Sequence, residues 1–133
     1  MAEAELVKKW IKKADDDFGY ASLSLKEEFE YFPQICWHFQ QAAEKYLKAY
    51  IVAFDLEFKK IHDLAALIKI CEYKNPSFVS LLDNCRYLQK FYVETRYPVV
   101  WETKYSRADA IKAQEAAERI IVFIKRLLPS SAV

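Results

Sequence analysis

The stretch Cys36-Trp37-His38-Phe39-Gln40-Gln41-Ala42-Ala43-Glu44-Lys45-Tyr46-Leu47-Lys48-Ala49-Tyr50 decides the fold. Ile35, Phe39, Ala42, Ala43, Tyr46, Leu47, Tyr50 and Phe54 recur at three- and four-residue steps, the spacing of one face of an α-helix. Projected at 100° per residue, Gln34, Trp37, Gln40, Gln41, Glu44, Lys45 and Lys48 fall on the opposite arc, with His38 at its border. Pro33 fits the first turn of this helix, where a missing N–H removes no hydrogen bond, and the pattern runs to about Phe54. The segment therefore predicts an amphipathic helix with its polar groups gathered on one side.

Working outward, the same periodicity continues. Leu6, Trp10, Ala14, Phe18, Ala21 and Leu25 draw an apolar stripe along a first helix from about residue 3 to residue 28. Gly19 lies inside it, either at a close helix contact or on a solvated face. A short third helix is predicted from near Ile61-His62-Asp63 to about Tyr73, with Asp63 suited to the positive helix start. Asn75-Pro76-Ser77 interrupts the chain. Phe78, Leu81, Leu82, Cys85, Leu88 and Tyr92 mark a fourth helix that Pro98 ends. Ala110, Ala113, Ala117, Ile120, Ile121, Ile124 and Leu128 mark the last, from about Arg107.

One glycine and four prolines in 133 residues supply too little turn chemistry for a sheet protein. The expected fold is all-α: an antiparallel up-and-down four-helix bundle with one additional short helix, about five helices in all. Residues 1–128 form a single domain, and 129–133 a frayed tail. An apolar fraction of 53% is ample for a core and excludes a disordered chain.

Charge and cysteine content narrow the function classes. Twenty Lys and Arg against 19 Asp and Glu give no basic excess of the kind that binds nucleic acid through its phosphates alone, so RNA is allowed but not demanded. Cys36, Cys71 and Cys85 form no Cys-x-x-Cys pair and read as buried thiols in a reducing compartment, with neither disulfide nor zinc. No signal peptide or membrane span is apparent, which points to a cytoplasmic protein. Neither histidine has a Glu three residues before it, which excludes the di-iron ligand pattern of helical bundles. A single glycine excludes a phosphate-cradling glycine loop. No cofactor or metal is expected.

Among the charged runs, Asp15-Asp16-Asp17 read as surface ion pairs with Lys12 and Lys13, and Lys8, Lys9, Lys12 and Lys13 as a solvated face. Seven residues remain as candidates for ligand contact: His38, Gln41, Glu44, Lys45, His62, Arg96 and Tyr97. His38 and Lys45 lie two helical turns apart, on one side with Gln41. A structural reading stands beside the functional one. His62 and Asp63 suit a helix start, and Arg96 suits a carboxylate such as Glu44 or Asp16, but Arg in a loop at a bundle end also grips phosphate bidentately.

Taken together, Trp10-x-x-x-Ala14-x-Asp16, His38-x-x-Gln41-Ala42-x-Glu44-Lys45-x-x-Lys48-Ala49, His62-Asp63-Leu64 and Arg96-Tyr97-Pro98 resemble the HEPN domain family, named for nucleotide binding in higher eukaryotes and prokaryotes. The resemblance is to its small stand-alone prokaryotic type and spans nearly the whole chain. It implies a bundle of about five helices, frequent homodimers, and pairing with a small nucleotidyltransferase in two-component or toxin–antitoxin systems. Many ribonuclease members carry an Arg followed four to six residues later by His, for charge stabilisation and proton transfer at an RNA phosphate. Here no Arg precedes either histidine, so no catalytic residue is assigned. The expected function is a non-catalytic binding and interaction module that takes a nucleotide and docks a nucleotidyltransferase. The alternatives are an RNA-cleaving toxin with a nonstandard site, joining His62 and Arg96 from different helices, and a dimeric scaffold without ligand. Surplus aromatics, Trp37, Tyr50 and Tyr92, carry the expectation of a homodimer.

Overall fold

The computed structural model describes residues 2–96 and 104–130, with side chains described for 3–92 and 104–130. The described residues form α1 (Ala2–Lys26), α2 (Phe32–Ala53), α3 (Leu64–Lys74), a 3-10 segment (Pro76–Leu81), α4 (Leu82–Arg96) and α5 (Arg107–Leu127), with no strand among them. The expected all-α bundle is what forms. The fourth helix differs in its entry: Phe78 and Leu81 are buried as expected, but in a 3-10 turn. Asn75 explains it, since its side chain accepts from Ser77 N and its carbonyl from Phe78 N, a three-residue closure that starts the tighter spiral.

Each helix has a local reason to start or stop. Both α1 and α2 end in a Schellman motif: Phe29 N donates to Ser24 O and Glu28 N to Leu25 O, and then Leu56 N to Ile51 O and Asp55 N to Val52 O. The residues that turn the chain are Glu28 (φ 63°) and Asp55 (φ 53°), in the left-handed region that glycine usually fills. Asp63 caps α3 by accepting from Ala65 N and Ala66 N. A reciprocal capping box between Ser106 and Asp109 opens α5.

The bundle alternates direction. Asp15 on α1 accepts from Tyr46 Oη at 2.5 Å, while Asp17 reaches back to Lys45 and His38, which sets α1 antiparallel to α2. Arg107, at the start of α5, donates to Leu25 O near the end of α1. Tyr87 on α4 donates to Asp109 O, and Phe91 packs edge-on to Tyr105, so α4 descends toward the start of α5. In the middle lies α2, in contact with all four other helices. Phe39, Tyr46, Leu47 and Tyr50 are fully buried there, in one core cluster with Leu64, Phe78, Phe91 and Ile120. Each such side chain contributes on the order of 1.5–3 kcal/mol by leaving water.

Two expectations need correction. The α1 seam in its first half runs through Val7 and Ile11, whereas Leu6 is 46% exposed and Trp10 half-buried. Both rows are apolar, and the fully packed one is that continuing the 14–18–21–25 line toward α2. Secondly, Tyr50 is no surplus aromatic: it lies in the core between Phe54 and Phe78. Among the described residues Tyr20, Phe29, Tyr31, Phe58 and Tyr73 are the rings left exposed, with Trp37 and Tyr92 half-buried. Gly19 faces solvent, since a Cβ there would meet nothing within 4 Å.

Candidate functional site: a buried polar chain ending on His62

Because α2 is covered on every side, much of its polar arc is not solvated. Gln40, Gln41, Glu44 and Lys48 are all buried, Glu44 to 2% exposure and Lys48 to 5%. Buried polar groups must satisfy one another, and these do so in a line. Gln41 Nε2 donates to Gln40 Oε1 at 2.7 Å, and Gln40 Nε2 to Glu44 Oε1 at 3.3 Å. Glu44 Oε2 then accepts from Lys48 Nζ and from His62 Nδ1, each at 3.0 Å. Glu44 and Lys48 are one turn apart, in the favourable order for a helical ion pair.

His62 is where the chain of contacts meets solvent, its side chain 48% exposed against 3% for that of Glu44. Its loop is pinned by two adjacent hydrogen-bonding devices: the Asp63 cap, and Gln89 on α4, whose Oε1 accepts from Leu64 N at 2.8 Å. Tyr92 stacks on the imidazole, ring centroids 4.9 Å apart and planes 23° apart. A carboxylate has no proton to give, so Nδ1 carries the hydrogen toward Glu44 and Nε2 is the nitrogen left to meet a ligand.

Above this network opens a recess of ≈ 260 Å³ lined by Trp10, Lys48, Phe58, Lys60 and His62. Lys48 Nζ sits 5.5 Å from the Trp10 ring centroid, and Trp10 and Phe58 lie 5.9 Å apart as its aromatic wall. The residues supply two ammonium groups, one imidazole and two rings. That set suits a ligand that is anionic at one end and flat or apolar at the other.

His38 and Lys45 belong elsewhere. Both bind Asp17, His38 Nδ1 at 2.9 Å from Oδ1 and Lys45 Nζ on Oδ2, and no hydrogen bond joins them to the Glu44 chain. Burial pushes the Asp17 carboxyl up, but the hydrogen bonds and charges of His38 and Lys45 outweigh it and hold it below the usual carboxylate range. Tyr20 and Trp37 pack edge-on to the His38 ring. Of the seven candidate residues, then, Gln41, Glu44 and His62 come together, while His38 and Lys45 form a second, separate cluster. Arg96 ends α4 one turn beyond Tyr92, with its side chain outside the described residues, and Tyr97 lies outside them altogether. The Asp15–Asp17 run splits three ways: Asp16 pairs with Lys12 at the surface as expected, Asp15 takes Tyr46, and Asp17 the second cluster.

Of the residues lining the recess, sequence reasoning named only His62 as a candidate and passed over Trp10, Lys48, Lys60 and Phe58. For Lys48 the i,i+4 spacing from Glu44 was a usable signal; for the two loop residues there was none. The thiols are buried as read, and desolvation pushes Cys36 and Cys85 up to about 12 and Cys71 up further. No group of three or more His, Cys, Asp or Glu residues able to hold a metal exists among the described residues. No helix among them is long and apolar enough to cross a membrane.

Comparison with known proteins agrees with this architecture. The chain is 25% identical over 134 aligned residues, 91% of its length and 87% of the relative's, to a Methanocaldococcus jannaschii protein named "Putative toxin MJ1304". The crystal structure of ST0689, an archaeal HEPN homologue, superposes with a TM-score of 0.76 at 29% identity, covering 92% of this chain and 98% of that one. The crystal structure of TT1696 from Thermus thermophilus superposes with a TM-score of 0.77 at 26% identity and the same coverage. The HEPN domain model matches residues 7–127, nearly the whole bundle, and the chain belongs to the HEPN domain family.

Proposed function

We propose that this chain is a binding and interaction module that takes a nucleotide in the recess above His62 and acts within a toxin–antitoxin pair, as a homodimer docked to a small nucleotidyltransferase. The observation that carries the nucleotide reading is the buried line Gln41–Gln40–Glu44–Lys48 ending on a half-exposed imidazole. Sequestering a carboxylate and an ammonium is expensive, and an apolar pair of like volume often leaves a protein no less stable. A charged line retained below an open recess therefore supports a role in holding His62 toward a ligand. Lys60 and Lys48 match phosphate oxygens, and the Trp10–Phe58 wall matches a base. The paired-system reading is supported by the similarity to a protein named as a toxin.

Calorimetric titration with ATP, and then with the other nucleotides, tests the site. Binding by the parent, weakened about tenfold in Lys60→Ala and in His62→Ala with unchanged melting temperature, supports it; tenfold corresponds to about 1.4 kcal/mol. A parent that binds none of them sinks it. A small nucleotidyltransferase encoded beside this gene, and recovered in complex with the chain, tests the pairing.

A second reading, an RNA-cleaving toxin, is favoured by one observation: His62 has a carboxylate on Nδ1 and a side chain 48% exposed, a pairing that suits a general base. The usual Arg-then-His pair is absent, so this reading ranks second. RNA cleavage by purified protein, abolished in a folded His62→Ala variant, would put it first.

A further inference from the structure

Behind the Trp10–Phe58 wall, on the side away from His62, the surface changes character. A groove of ≈ 410 Å³ opens between the first turns of α1 and the end of α2, its floor apolar through Leu6, Trp10, Leu56 and Phe58. It shares Asp55 and Leu56 with a second recess of ≈ 360 Å³ that runs on to Ile70 and Tyr73 on α3. Three of these apolar side chains are exposed: Leu6 at 46%, Phe58 at 41% and Tyr73 at 91%. A surface that leaves such groups together in a concave strip is of the kind that another molecule covers.

The charges along this strip have one sign. Glu3 and Asp55 line the first recess, and Asp55 and Glu57 the second, with no Lys, Arg or His lining either. Glu57 has an ion partner, the exposed Lys59 at 3.5 Å; Glu3 and Asp55 have none among the described residues. An apolar floor between carboxylates is complementary to an amphipathic helix carrying Leu-type residues on one face and Lys or Arg at its margins. Asp55 is held in place by the Schellman turn at the end of α2, so its carboxylate is presented from a fixed backbone position.

We infer that the strip from Leu6 through Leu56 to Tyr73 docks a basic amphipathic helix of a partner protein. This face is distinct from the nucleotide recess and shares with it only the Trp10–Phe58 wall.

The probe is a peptide of leucine and lysine, about five turns long, with leucines at i, i+3 and i+4 spacing; its counterpart replaces every lysine by glutamate. Both are titrated into the isotopically labelled full chain and followed by NMR. The lysine peptide is expected to shift the backbone signals of Leu6, Leu56, Phe58 and Tyr73 and the Trp10 indole, and the glutamate peptide to leave them unmoved. The double variant Glu3→Gln, Asp55→Asn should bind the lysine peptide about tenfold more weakly. Asn tolerates the left-handed turn, so this variant keeps the fold; Phe58→Ser, at an exposed position, gives an independent loss. Three results overturn the inference: no groove signal moves, the two peptides bind alike, or the same signals move on concentrating the chain alone as its mass doubles, which makes the occupant a second copy.

Discussion

His62 Nδ1 lies 3.0 Å from Glu44 Oε2, joining a half-exposed imidazole to a carboxylate whose side chain is 3% exposed. The same oxygen takes Lys48 Nζ at 3.0 Å, from a side chain 6% exposed. One carboxylate thus neutralises a buried ammonium and aims a histidine. Removing it does two separable things, to the fold and to the site.

For the fold, Glu44→Gln leaves Lys48 buried beside an amide. Breaking one partner of a buried pair typically destabilises by about 3–5 kcal/mol, because the remaining charge has lost its counterion. The double variant Glu44→Gln, Lys48→Met removes that charge and should recover most of the loss. Urea unfolding of the parent, both single variants and the double variant measures the coupling. A Glu44→Gln variant with parental stability contradicts a desolvated pair.

Asp17 makes the acid side of stability predictable. Its folded-state pKa lies below the usual carboxylate value of 3.8, so between the two values the unfolded chain binds more protons. The stabilisation from the Asp17 cluster is therefore present above that value and is lost as pH falls through the folded pKa. Asp17→Asn should cost about 1–3 kcal/mol at neutral pH, since it leaves Lys45 and His38 with an amide in a partly buried position. It should also flatten the fall in stability below pH 4. Unfolding curves from pH 7 to pH 2 for both proteins test this; parallel curves would detach Asp17 from the acid limb.

These two networks also mark the limit of what the chain discloses by itself. The apolar rows of α2 and α5 were legible because a period of 3.6 is imposed by any core-facing helix, and Phe39, Tyr46, Ile120 and Ile124 are buried as that period requires. The opposite arc of α2 was legible as polar but not as buried. Periodicity assumes one wet face, and a central helix in contact with four others keeps little of one. Gln40 and Lys48 therefore stood on the polar arc with nothing to mark them as buried. Glu44 and His62 stood out as chemistry-bearing, but their pairing spans a loop whose path no local rule fixes. Asp17 was obscured by its acidic neighbours, because three consecutive carboxylates look alike until α1 is docked and each meets a different partner.

Helix ends give a pair of glycine predictions with a shared logic. Glu28 turns the chain at φ 63°, where a side chain is strained, while Gly19 sits in a solvated helix position with room for a Cβ. Glu28→Gly relieves the left-handed strain, and Gly19→Ala removes backbone freedom from the unfolded chain. Each should stabilise by about 0.5–1 kcal/mol, and the effects should add, because the sites share no partner. Thermal unfolding of the two single variants and the double variant decides it. A loss of stability in Gly19→Ala would mean that the position is covered in solution, as by a second subunit.

Arg96 ends α4 one turn beyond Tyr92, which stacks on His62. Arg96→Ala is expected to weaken nucleotide affinity while leaving the melting temperature nearly unchanged, because truncating one long side chain at a helix terminus costs little packing. Titration calorimetry beside thermal unfolding separates the outcomes. A large fall in melting temperature would assign Arg96 to the fold instead.

The thiols and buried phenols set the alkaline limit. Cys36 and Cys85 are pushed up to about 12 from an ordinary 9.0, chiefly by burial, and Tyr87 up to about 12 from 10.0 by burial and then by Asp109 and Cys36. Between the ordinary and the raised values the folded state holds protons that the unfolded chain has released, so stability declines with rising pH. The decline should begin near pH 9, where unfolded cysteines ionise, and steepen above pH 10 as unfolded tyrosines follow. The same burial predicts that none of the three thiols reacts with an aromatic disulfide reagent at pH 8 in the native protein, whereas all three react in urea. Fast modification of even one native thiol would show that a helix covering it opens, and would place Cys36, Cys71 or Cys85 on a face that these contacts close.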